Sequence, residues 1–168
     1  MKHLLLIAYG NPLRSDDGIA WRAAEELRYR LPSSTRIVCV HQLTPELAED
    51  ISLADLVVFL DASTHGQPGV PRCQAVCAES REINFQHHFS PQEILGFCDR
   101  LYSAKPSAFL ISLPGEKFDH GQEFSQSAVR AVPFVVEEVF RLMKRMRRNV
   151  QRKAAQCSIS KSRQPSAE

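Results

Sequence analysis

Leu4-Leu5-Leu6-Ile7-Ala8-Tyr9-Gly10-Asn11-Pro12-Leu13-Arg14-Ser15-Asp16-Asp17-Gly18-Ile19-Ala20 is the stretch that decides the fold. Residues 3–9 form an apolar run without polar alternation, the pattern of a strand covered on both faces in a parallel sheet. Gly10-Asn11-Pro12 breaks the run and turns the chain. From Asp16 onward, Ile19, Ala20, Ala23, Ala24 and Leu27 recur at helical spacing, and Ser15-Asp16-Asp17 offer N-cap and first-turn chemistry. Strand, loop and helix in that order are the opening unit of an α/β domain.

Working outward, the same alternation repeats. Thr35 to Val40 reads as a second strand, and Thr44-Pro45-Glu46 predicts a short helix with Thr44 at the N-cap and proline at its first position. Asp55 to Asp61 is a further buried strand with a carboxylate at its far end, and Arg72 to Ala78 reads as an edge strand. Ser90-Pro91-Gln92-Glu93 combines an N-cap serine, a first-turn proline and a glutamate able to close a capping box, and predicts a helix to about Ala104. Ser107 to Leu113 is another strand, and Ser125 is expected to cap a long last helix through Arg147. The expected fold is a three-layer α/β sandwich, with a twisted, mostly parallel sheet of about five strands and helices on both faces. In that architecture ligands bind beyond the carboxyl ends of the strands.

The chain has 168 residues, which suits one domain. Its formal net charge of +2 hides an uneven distribution. Residues 1–140 hold 12 Lys and Arg against 18 Asp and Glu, a net of −6, whereas residues 141–168 hold 9 basic side chains against Glu168 alone, a net of +8. We expect a single domain over residues 1–148 and a disordered basic extension over 149–168, because the latter is rich in Arg, Lys, Ser and Gln and poor in large apolar side chains. Arg141 to Arg148 would then face the negative pole of the last helix. Alternatively, the basic tail docks on an acidic face of a partner. No apolar run approaches the ~20 residues of a membrane span, and Leu4 to Ile7 is too short for a signal-peptide core. Five cysteines, an odd number in a chain able to fold without staples, point to free thiols and a reducing cytoplasm.

A glycine between a strand and a helix invites a nucleotide-binding reading. That site needs a bare helix N-terminus to receive a phosphate, and here Asp16 and Asp17 stand in its place. Electrostatics therefore disfavours a nucleotide or flavin, and Gly-x-Ser-x-Gly and Walker sequences are both missing. Two adjacent aspartates cannot both cap one helix. If Ser15 or Asp16 caps, Asp17 is free to project toward the strand ends, where Asp61 also sits. His87 and His88, in the loop before Ser90, supply an imidazole to the same edge. Two carboxylates and one imidazole form a donor set for a borderline divalent cation of the Ni, Zn or Fe type, with positions left for another ligand. His41, His65 and His120 are weaker candidates, and His3 reads as a strand residue.

Gly10-Asn11-Pro12-Leu13-Arg14-Ser15-Asp16-Asp17-Gly18 resembles the N-terminal signature of the hydrogenase maturation endopeptidases. The likeness extends over most of residues 3–140, through Gln42 to Leu47, Val57 to Ala62, His87-His88-Phe89-Ser90-Pro91 and Phe118 to Ser125. Ala8 and Ala20 stand where the family has glycines, and Phe124 where it has leucine. The resemblance implies an aspartic-type protease that removes the C-terminal extension of a [NiFe] hydrogenase large-subunit precursor after nickel insertion. It implies Asp17, Asp61 and His87 as metal-binding and catalytic residues, with Asp16 and His88 as alternates, and nickel supplied by the precursor. We further expect a cytoplasmic monomer without nucleic-acid or membrane partners. The competing readings are a nickel-binding or chaperone module that hydrolyses nothing, and a nucleotide-binding domain.

Overall fold

The computed structural model describes residues 3–79 and 89–161, with side chains as far as Arg148. Five strands, β1 (Leu4–Tyr9), β2 (Arg36–Val40), β3 (Leu56–Ser63), β4 (Arg72–Val76) and β5 (Ser107–Pro114), form one sheet in the order β2-β1-β3-β5-β4. The pairs β1/β2, β1/β3 and β3/β5 are parallel, and the edge strand β4 runs antiparallel to β5. Among the described residues four α-helices accompany the sheet: α1 (Ile19–Arg28), α2 (Leu47–Ser52), α3 (Pro91–Tyr102) and α4 (Gln126–Lys161).

The two-residue period of the strands divides the core. Leu4, Leu6, Ala8, Val58, Leu60, Ile111 and Leu113 face α1 and α4, while Leu5, Ile7, Val57, Phe59 and Ala108 face α2 and α3. Helices on both faces explain why β1 and β3 carry apolar side chains without alternation. Phe59 and Ile7 are wholly buried, each contributing roughly 1.5–3 kcal/mol of hydrophobic stabilisation.

Several local readings hold. The predicted capping box at Ser90 is complete: Ser90 Oγ accepts from the Glu93 backbone at 3.3 Å, and the Glu93 carboxylate accepts from the Ser90 backbone at 2.8 Å. Ser125 also caps α4, its Oγ accepting from the Ala128 N–H at 3.2 Å.

Others are corrected. Neither Ser15 nor Asp16 caps α1. Ser15–Gly18 is a 3-10 turn, α1 begins after Gly18, and no side chain caps either segment. α2 begins at Leu47 because the Thr44 and Pro45 carbonyls first accept from Leu47 and Ala48 across tight three-residue turns. β3 passes through Asp61 to Ser63, since β5 continues to pair with it as far as Pro114. α4 continues past Arg147 to Lys161, so Arg141 to Arg148 lie within the helix rather than at its negative pole.

Candidate metal and catalytic site

Parallel register brings three strand ends together at the carboxyl edge. Tyr9, the last residue of β1, pairs with Val40 of β2 and with Asp61 of β3, and Asp61 pairs with Ser112 of β5. Asp61 follows Val57 and Phe59 at strand spacing and therefore belongs to the α2/α3 face. Tyr9 follows Leu5 and Ile7 onto that same face, its ring packing against their core.

Gly10 then turns the chain so that the 3-10 turn lies against β3. Its φ of +135° is a left-handed value, and a Cβ there would overlap the carbonyl oxygen of Asp17. The loop is closed by its own polar groups. The Asn11 N–H donates to Asp17 Oδ2 at 2.8 Å, the Leu13 N–H to Asn11 Oδ1 at 2.9 Å, and the Asp17 N–H to the Arg14 carbonyl at 3.1 Å. Replacing Gly10 by alanine is expected to displace Asp17 and to cost about 1–3 kcal/mol of backbone strain. A melting temperature within a degree of wild type would contradict this.

Asp17 comes close enough to Asp61 for its charge to act on that carboxyl. Burial is the main cause that pushes the Asp61 carboxyl up from 3.8 to about 7. The neighbouring Asp17 charge adds to the rise, while hydrogen bonds from the Tyr9 hydroxyl and the Ala62 N–H oppose it. Tyr9 is itself driven well above its ordinary value by burial and by the Asp61 charge, so its hydroxyl remains a donor at any working pH. A carboxylic acid poised near neutrality at a strand end can hold or release a proton there.

Asp16 has a different task. It is 0% exposed. Its Oδ2 accepts from the Glu116 N–H at 2.7 Å, the Lys117 N–H at 3.0 Å and the Ser125 hydroxyl at 2.7 Å, and its Oδ1 accepts from the Ser125 N–H at 2.7 Å. Burial alone would raise its carboxyl, but these four donors outweigh it and hold it below the usual range. The Ser15 N–H donates to the Gly121 carbonyl at 2.8 Å, the Gly121 N–H to the Leu13 carbonyl at 2.9 Å and the Asp16 N–H to the Lys117 carbonyl at 2.9 Å. Asp16 thus fastens the first loop to the segment that leads into α4.

The remaining candidates fall as follows. His87 and His88 lie outside the described residues. His41 follows β2, its ring 5.3 Å from that of Trp21. His65 lies in the turn after β3, its Nδ1 3.1 Å from Thr64 Oγ1, and His120 is exposed in the loop tied to Ser15. Among the described residues no group of three His, Cys, Asp or Glu could hold a metal ion. Sequence reasoning missed the Tyr9 contact and the fastening role of Asp16. The first could have been found by aligning the ends of β1 and β3, whereas the second spans 109 residues and has no local signal.

No protein-family model matches the sequence, and no curated protein matches it. Solved structures do. The hydrogenase maturating endopeptidase HybD from E. coli is 21% identical, with 86% of this chain and 93% of that one covered at a TM-score of 0.66. The [NiFe] hydrogenase maturation protease HybD from Thermococcus kodakarensis is 24% identical, with 83% and 98% covered at 0.66. The [NiFe] hydrogenase maturation protease HycI from Thermococcus kodakarensis KOD1 is 18% identical, with 85% and 93% covered at 0.67. Most of this chain and nearly all of each of these are covered at TM-scores of 0.66 to 0.67, and this chain has the α/β fold of the hydrogenase maturation endopeptidases.

Proposed function

We propose that this chain is an endopeptidase that removes the C-terminal extension of a [NiFe] hydrogenase large-subunit precursor after nickel insertion. In this reading Asp17, Asp61 and His87 meet the nickel carried by the substrate. The observation that carries it is the division of labour in the Asp16-Asp17 pair. Asp16 is wholly engaged in holding two loops together, which leaves Asp17 as the acidic group of the first loop beside Asp61. The fold shared with solved maturation proteases supports the same reading.

The chemistry follows from the charges. Two carboxylates in close proximity repel, and a divalent cation offered to them relieves that repulsion and favours the ionised form of Asp61. Recognition of nickel would therefore select precursors already loaded with metal. Bound in this way, the substrate presents a nearby peptide bond whose hydrolysis needs a carbonyl polariser and a base. The nickel supplies the first, and an aspartate of the pair supplies the second, in keeping with an aspartic-type peptidase. The four free cysteines among the described residues suit action in a reducing cytoplasm. No helix among the described residues is long and apolar enough to cross a membrane.

The test uses purified protein with nickel-loaded and nickel-free large-subunit precursor. Cleavage of the loaded form alone is expected. Equal cleavage of both, or of neither, would overturn the proposal, and nickel binding without cleavage would select the non-catalytic nickel module instead.

A further inference from the structure

α1 ends at Arg28, and the Arg30 and Leu31 N–H groups still donate to the Leu27 carbonyl, at 3.0 and 2.9 Å, before Pro32 stops the turn. α1 packs along α4, where Phe140, Met143, Lys144 and Arg147 recur at the spacing of one helix face. Between the end of α1 and this face is a groove of about 370 Å³. Leu31, Pro32, Phe140 and Met143 give it an apolar floor, and its charged lining residues among the described ones, Arg30, Lys144 and Arg147, are all basic. The Arg30 guanidinium stands 5.8 Å from the centroid of the Phe140 ring and 3.4 Å from the Glu26 carboxylate, which keeps a cation at the rim. The bias extends along α4: residues 141–148 contain Arg141, Lys144, Arg145, Arg147 and Arg148 and no acid, Arg141 being paired with Glu138 at 2.8 Å. Pro32 leads into β2, whose first residue pairs with Leu5 near the start of β1, so the groove lies at the amino ends of the strands, away from the carboxyl edge that carries Asp61.

We propose that the groove between α1 and α4 is a docking surface for an acidic protein segment, which sets an apolar side chain on the Phe140 and Met143 floor and its carboxylates against Arg30, Lys144 and Arg147. Charge complementarity selects the partner, and the apolar floor selects its class. Exposed ion pairs are individually weak, so the cations steer and orient while the desolvated apolar contact holds. An extended polyphosphate fits less well, because residues 1–140 carry a net charge of −6 and repel a polyanion that runs beyond the groove. A partner held at the amino ends of the strands leaves the carboxyl edge open, so the inference does not rest on the reading of Asp17, Asp61 and His87.

The experiment measures binding of the full chain to three labelled probes by fluorescence anisotropy: a random glutamate–tyrosine copolymer, polyglutamate and a short DNA duplex. Wild type should bind the copolymer more tightly than either of the others, and more weakly as salt is raised. Arg30→Glu/Lys144→Glu should bind it at least ~10-fold more weakly with a melting temperature close to wild type, since both attractions become repulsions. Arg72→Glu/Lys105→Glu makes the same change in net charge at positions that do not line the groove and should bind nearly as wild type does. An equal loss in this second pair would reduce the effect to net charge and overturn the groove. Polyglutamate bound as tightly as the copolymer would overturn the role of the apolar floor, and duplex DNA bound more tightly would give the surface to nucleic acid instead. If the first double variant melts well below wild type, Lys144→Glu alone decides, because that side chain is exposed on the helix: weakened binding supports the groove, and wild-type affinity overturns it.

Discussion

Asp16→Ala is expected to destabilise the protein by about 3–5 kcal/mol, judged from the charge-assisted hydrogen bonds and buried polar groups involved. The substitution deletes the acceptor for the Glu116, Lys117 and Ser125 N–H groups and for the Ser125 hydroxyl, all within 3.0 Å. Bonds to a charged acceptor are worth about 1.5–3 kcal/mol each, and orphaned donors add a desolvation penalty, though water entering the 116–121 loop recovers part of it. For a chain of this size the melting temperature should fall by roughly 10 °C or more. Asp16→Asn should be nearly as harmful, because an amide nitrogen in place of either oxygen faces donors. The wild type should also show a specific acid sensitivity. The folded carboxyl lies below its ordinary value of 3.8, so its contribution is complete above that value and is lost as pH falls through the folded value. Urea denaturation of both variants measures the effect, and a loss under about 1 kcal/mol would refute the fastening role.

Asp61→Ala should have the opposite signature: loss of precursor processing by roughly a thousandfold or more, with no loss of stability. The side chain carries negative charge in a desolvated position beside Asp17, and no described strand or helix depends on it for packing. Its folded value near 7 against an ordinary 3.8 means that the native state binds the proton more tightly than the unfolded chain. The resulting stability is present below pH 4 and is lost as pH rises through about 7. At pH 8 the alanine variant should therefore melt at or above the wild-type temperature, and Asp61→Asn should flatten the decline of stability between pH 4 and 7. A variant that processes precursor at the wild-type rate would remove Asp61 from the site. One that melts far below wild type at pH 8 would show the carboxylate to be structural.

The two aspartates also mark how far local sequence carries. The run from Leu4 to Tyr9, the break at Gly10 and the apolar spacing from Ile19 to Leu27 announce strand, turn and helix because each depends on neighbours within a few residues. The Ser90 capping box is equally local, with both its bonds closing over three residues, and it was legible in full. Thr44-Pro45 carries the same kind of signal but yields a tight turn first, since one turn of helix can begin equally well at either place. The end of α4 was misjudged because a basic, apolar-poor segment still forms helix, Arg, Lys, Gln and Ala all being good helix formers.

Sequence by itself thus determined the alternation of strands and helices, the two-sided burial of the central strands, and the delivery of Asp17 and Asp61 to one edge of the sheet. Tertiary structure alone decided which of the neighbouring aspartates fastens distant loops together. Asp16 is taken by donors 100 to 109 residues away, and Asp61 finds its phenol across a strand pair whose register is set by packing on both faces of the sheet. Such partners are selected when the core assembles, because a buried carboxylate must find donors wherever the fold brings them, and nothing in the adjacent sequence encodes that choice.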